Sequence, residues 1–123
     1  MSENMFRAYR AEAIVEKFRI VKHGAADQSA VKASAAGDLL IGTSDGLDKA
    51  IGEFVDVSVA PIGEVELGGN VTRGQPLTSD ANGRAVVAAP AGGANVRIIG
   101  FADASGVLND VIRYVRSPGV MQG

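Results

Sequence analysis

The sequence predicts an all-β fold: a small single-domain barrel or sandwich of short strands, preceded by an N-terminal arm. Three observations lead there. Short runs of β-favouring residues follow one another closely, and "EFVDVSV" sets Phe54, Val55, Val57 and Val59 against Asp56 and Ser58. Gly, Pro, Asn or Asp stands between the runs, where turn chemistry requires it. The chain also echoes itself faintly across its two halves.

Taken in order, residues 1–17 form the arm and residues 18–123 the β-rich domain. The segment "AYRAEAIVEKF" reads either as a short helix or as an extended arm leading into "FRIVKHG". From Phe18 the signal is β. "FRIVKH" stops at Gly24, "AVKASA" ends near Gly37-Asp38, and "DLLIGTS" is bounded by Gly42, Asp45 and Gly46. "GEVELGG" alternates Val65 and Leu67 with Glu64 and Glu66 and closes on a glycine pair. "QPLTS", "GRAVVAA", "NVRIIGFA" and "DVIRYVRS" complete the series.

The echoes come in the same order in each half. "AVKASAAG" (30–37) pairs with "AVVAAPAG" (85–92), "LIGTSD" (40–45) with "IIGFAD" (98–103), and "VDVSVAPIG" (55–63) with "VIRYVRSPG" (111–119). Such spacing implies two pseudo-repeated β-units related by a pseudo-twofold axis, and two repeats are too few for a solenoid.

Composition narrows the function. The chain has 123 residues, 46% of them apolar, with no Trp and a formal charge of −2. That length buries a real core in one domain, and the charge gives no general attraction to nucleic acid or an acidic membrane. The absence of Cys removes disulfides, thiol catalysis and thiolate metal sites. The charged N-terminus has no h-region, and no run approaches the roughly 20 apolar residues of a membrane span. The expectation is a soluble product made in the cytoplasm.

No segment reads as a catalytic or cofactor site. Gly42-Thr43-Ser44-Asp45-Gly46 matches the nucleophile-elbow pattern, but no helix follows and His23, the sole histidine, precedes the serine. One histidine without cysteines makes no zinc site. "GGNVTRGQPLTSDANGRAV" (68–86) has P-loop glycine spacing, yet Gln75-Pro76 replaces the required Lys-Ser, and proline removes a backbone donor. The run from Asp80 begins like a calcium loop, but Ala91 occupies the position of its bidentate Glu. Glu64 and Glu66 read as a solvated strand face that discourages edge pairing. The scattered arginines lack the interleaved aromatics of a nucleic-acid surface.

The stretches "FRIVKHGAADQSAVKASAAGDLLIGTSD", "GEFVDVSVAPIGEVELGGNVTRGQPLTSDANGRAVVAAP" and "VRIIGFADASGVLNDVIRYVRSPGVMQG" together resemble the small capsid decoration (cement) proteins of tailed bacteriophages. The most telling segment is "GGNVTRGQPLTSDANGRAV". The resemblance runs from about Phe18 to the C-terminus. It implies a non-enzymatic virion protein without cofactors, made in the bacterial cytoplasm and seated on the outer capsid surface. Such proteins bridge and stiffen the major capsid protein lattice, commonly as homotrimers and sometimes as dimers. On that reading Met5, Phe6 and Tyr9 form an arm that orders on a capsid or sister subunit, and Arg73 and Arg84 are partner-facing charges. A head-fibre base, a tail-tube-like module, and a small ligand-binding or enzymatic β-barrel are the alternatives.

Overall fold

The computed structural model describes residues 5–123 and contains ten strands and no helix among them. In the first half these are β1 (Phe6–Ala11), β2 (Ile20–His23), β3 (Ser29–Lys32), β4 (Leu40–Ser44) and β5 (Phe54–Ser58). The second half holds β6 (Ile62–Glu66), β7 (Pro76–Ser79), β8 (Ala85–Val87), β9 (Asn95–Ala102) and β10 (Val111–Gln122). The all-β expectation holds, with a closed barrel and a second five-stranded sheet in one small domain.

Each strand follows from its local pattern. In β5, Val55 and Val57 point inward while Phe54 and Asp56 point outward, the period of two that a half-buried strand imposes. In β10 the same phase buries Ile112 and Tyr114 and exposes Val111, Arg113 and Val115. Pro118, which has no N–H to give, lies where the β9–β10 register shifts between Arg116 and Gly119.

The two halves are backbone copies of one another. Around the barrel the strands run β1-β5-β4-β2-β3, and the second sheet runs β6-β10-β9-β7-β8, the same order. A parallel β1–β3 pairing, Arg10 with Ser29 and Ala11 with Ala30, closes the barrel. Its counterpart is the single parallel bridge from Leu67 to Ala85, so the second unit is held shut at one point only. The antiparallel bridge Val15–Lys49 recurs as Val71–Gly106. Even the left-handed residues recur, with Phe18, Gln28 and Gly52 matched by Gly74, Gly83 and Asn109. Gly42 and Gly100 also correspond: a Cβ at either would fall on a carbonyl oxygen of the neighbouring strand, that of Ser58 or of Val115.

Three expectations require correction. First, the residues 1–17 arm is not separate from the domain. Met1 to Asn4 lie outside the described residues, but Phe6–Ala11 is a barrel strand paired antiparallel with β5 over five positions and parallel with β3. Its alternation is masked because Phe6, Arg7 and Ala8 are all exposed, and only Tyr9 and Ala11 turn toward the core. Second, the third sequence echo is out of register by one residue. Phe6 pairs with Ser58 and Ile62 with Val115, which matches Val55 to Ile112 and Val57 to Tyr114. Third, the units are not related by a twofold axis. A twofold axis repeats every contact with the roles exchanged, so the buried Tyr114–Thr43 hydrogen bond would require Val57 to meet Phe101. Phe101 is exposed instead. The outer face of the first barrel packs against the interior of the second unit, head to tail.

Each unit has its own core. Ala11, Val15, Val21, Ala30, Ile41, Val55 and Val57 fill the first. Val65, Leu67, Val71, Leu77, Ile99, Ile112 and Tyr114 fill the second, into which Ile20 and Ala33 of the first unit insert.

Candidate functional site

The residues that suggested chemistry in the sequence are structural. The Ser44 hydroxyl donates to the Glu16 carbonyl at 2.7 Å and accepts the Arg19 N–H at 2.9 Å, so it holds a turn and is not poised for attack. His23 is exposed at the end of β2, edge-on to the Tyr9 ring at 6.3 Å. Among the described residues no group of three or more His, Asp or Glu is placed to hold a metal ion.

The glycine-rich stretch from Gly68 to Val86 makes the β7–β8 hairpin and half of the seam between the units. Asp80 Oδ1 accepts the N–H groups of Asn82 and Arg84 at 2.8 and 2.9 Å, an Asx turn whose carboxylate is satisfied by its own loop. Gly83 adopts φ +76, and its carbonyl accepts the Ile20 N–H at 2.7 Å across the seam. Glu12 does the corresponding work in the first unit from the other side, accepting from Ala25 and Ala26 at 2.9 and 3.1 Å. The Ala25 N–H, then the Ser29 hydroxyl and the Ala26 N–H, hold the Glu12 carboxyl below its usual range despite some desolvation.

Charged side chains lace the rest of the seam. Glu66 Oε2 lies 3.5 Å from Arg19 and 3.8 Å from Arg84. Arg19 also donates to the Asn82 carbonyl at 3.0 Å, and Lys32 meets Glu16 at 2.7 Å. That hydrogen bond from Lys32 is the main force lowering the Glu16 pKa, against desolvation. Arg116 forks onto the Ile41 carbonyl at 3.2 and 2.8 Å. At the centre, the Tyr114 hydroxyl meets Thr43 Oγ1 at 3.2 Å, and burial pushes the phenol pKa up. The Tyr114 ring fits because Gly63 has no Cβ to oppose it.

The five residues expected at a partner surface divide accordingly. Arg84 is half-buried, 3.8 Å from Glu66, and donates to Oδ1 of the exposed Asn109 at 2.8 Å within the chain. Tyr9 is half-buried against the first core. The Met5 carbonyl accepts the Val59 N–H at 2.8 Å, which ties the strand start to the inter-unit linker. Arg73 is exposed beside a shallow cleft with Asp103 and Ser105. Phe6 is exposed and lines an apolar groove of about 290 Å³ at the seam, with Phe18, Ala60 and Ile62. Glu66, read from sequence as solvated, is instead held between two arginines.

Sequence reasoning missed an exposed apolar row on the second sheet. Ile62, Val115 and Phe101 are register partners across β6, β10 and β9, and Pro76 extends the row onto β7. All three of the former are exposed. The available signal was Phe101 itself, which replaces Thr43 in the echo of "LIGTSD" by "IIGFAD".

No protein-family model matches the chain. No curated protein matches it either. Among solved structures, the chain is similar to the crystal structure of the head fiber gp8.5 N base in bacteriophage phi29. The TM-score is 0.68 at 19% sequence identity, over 91% of this chain and 92% of that one, so the two share a fold nearly end to end.

Proposed function

We propose that this chain is a non-enzymatic structural protein of a tailed-phage head, a base module that attaches to the capsid in the manner of a head-fibre base. The observation that carries this reading is the shared two-unit fold with the phi29 head fiber base, spanning nearly the whole of both chains. The local chemistry agrees with it. The polar side chains of the seam hold backbone or one another, as a rigid scaffold requires, and the large apolar side chains left outside suit binding to protein. The partner is the major capsid protein, met on the outer surface of the shell.

Co-sedimentation with expanded empty heads, built from the major capsid protein of the same genome, tests the reading. Binding that saturates at a fixed number of copies per head is expected. Absence of binding, or uptake that rises without limit, would overturn it.

A second reading, a cement protein that stiffens the lattice, is favoured by the sequence resemblance to decoration proteins. Heating the loaded heads separates the two. A cement protein raises the temperature at which the shell opens, whereas a fibre base leaves it unchanged.

A further inference from the structure

A second cleft, of about 390 Å³, lies between the two units and shares no lining residue with the groove at Phe6 and Phe18. Leu39 and Leu40, where β4 begins, wall it from the first unit, and Ile98, Pro118 and Val120 wall it from the second. Leu39 and Val120 are 56% and 59% exposed. Two exposed basic side chains, His23 and Arg97, belong to the lining, and no described carboxylate does.

Nothing within the chain neutralises that charge. Among the described residues His23 and Arg97 enter no ion pair. Asp38, next to Leu39 in sequence, is already occupied: its carboxylate accepts the Ser34 and Ala35 N–H groups at 2.8 and 3.0 Å and lies 3.3 Å from Lys22. On a chain of net charge −2, the cleft is therefore a local basic site with apolar walls. Its frame is fixed. The Arg97 N–H donates to the Ala36 carbonyl at 2.7 Å, and the Arg97 carbonyl accepts the Thr78 hydroxyl at 2.7 Å.

Gly119 is an independent sign of an occupant. It lies in β10 opposite Ile98, its φ is not left-handed, and a Cβ there would meet nothing within 4 Å. Internal packing does not call for glycine, and the neighbouring bulge does not either, since a bulge that needs glycine holds it at a left-handed φ. A glycine inside a strand otherwise marks a place where a ligand or another backbone comes close.

We propose that this cleft receives an extended acidic segment of the major capsid protein, with apolar side chains against Leu39, Leu40 and Val120 and a carboxylate between His23 and Arg97. The inference rests on the head-attachment reading and names the surface that makes the attachment. A guanidinium forks onto a carboxylate, and apolar walls that exclude water strengthen the pair.

Co-sedimentation with expanded heads compares the wild type with Arg97→Glu, Gly119→Leu and Lys17→Glu, and far-UV circular dichroism checks each fold. Arg97→Glu opposes the carboxylate, Gly119→Leu fills the cleft, and Lys17→Glu makes the same charge change at an exposed position outside it. The first two are expected to weaken binding more than about tenfold and the third to bind as the wild type does. Unimpaired binding by Arg97→Glu, or an equal loss in Lys17→Glu, would overturn the cleft while leaving head attachment intact. A wild type that ignores heads overturns the attachment reading itself, and this inference with it. A photo-crosslinking Val120→p-benzoylphenylalanine variant then identifies the occupant by mass spectrometry. The expected product joins a capsid-protein stretch that contains Asp or Glu. Crosslinking to a second copy of this chain, or to a stretch without carboxylates, would contradict the assignment.

Discussion

Single residues show what the duplication left behind. Gln28 sits at φ +60 on the exposed β2–β3 turn, where the second unit has Gly83 at φ +76. A left-handed non-glycine residue costs roughly 1–2 kcal/mol, and glycine returns part of that gain through a freer unfolded chain. Gln28→Gly is therefore expected to stabilise the protein by about 0.5–1 kcal/mol, measured by urea denaturation. A loss of stability would show that the Gln28 side chain makes contacts that outweigh its backbone strain. The lowered carboxyls of Glu12, Glu16 and Asp38 set the acid response. Desolvation raises Asp38, but the Ser34 and Ala35 N–H groups and Lys22 outweigh it. In each case the folded pKa lies below the ordinary value, 4.5 for the glutamates and 3.8 for Asp38, so the unfolded chain takes up protons first. Their contribution is complete above those values and is lost as pH falls through the folded ones. The melting temperature is expected to hold from neutral pH to about 5 and then fall. Glu16→Gln is expected to flatten that fall, and an unchanged slope would remove Glu16 from the account.

At the scale of elements, strand legibility depended on burial. β5, β6 and β10 alternate because one face meets a core, and their phase could be read from Val55, Val57, Val65, Ile112 and Tyr114. β1 could not be read this way. It opens on three exposed residues, and its pairing with β5 depends on a strand more than forty residues further along the chain. The third echo misled for a related reason: matching "VDVSV" to "VIRYV" by its first Val slips the phase by one, and a one-residue slip exchanges the two faces. The seam was illegible because its pairs, such as Glu66 with Arg19 and Arg84, join residues distant in sequence. Tyr114 joins the elements most directly, from β10 to Thr43 on β4. Removing its hydroxyl leaves Thr43 without that partner in a buried site. Tyr114→Phe is expected to cost about 1–2 kcal/mol in urea denaturation. A neutral effect would show that the hydrogen bond does not hold the units together.

The whole molecule is two copies of one β-unit, joined so that the outside of the first closes the interior of the second. That arrangement explains why a chain without Trp or Cys forms a single body: the second unit, bridged shut at one point, completes its core with Ile20 and Ala33 of the first. It also leaves uncovered the outward row of the second unit, Ile62, Val115 and Phe101, whereas Ser58 and Thr43, the first-unit counterparts of Val115 and Phe101, are covered. Fold class and the run of short strands from β2 onward were legible in the sequence, since turn residues separate the runs. The direction of the pairing was not, because it depends on which outward row is covered, and that is decided by contacts between residues far apart in the chain. The central claim is that this scaffold belongs on a phage head, and cryo-electron microscopy of expanded heads incubated with the protein tests it most directly. The account predicts two-unit density standing on the outer surface at fixed lattice positions. A bare shell at saturating protein would contradict it.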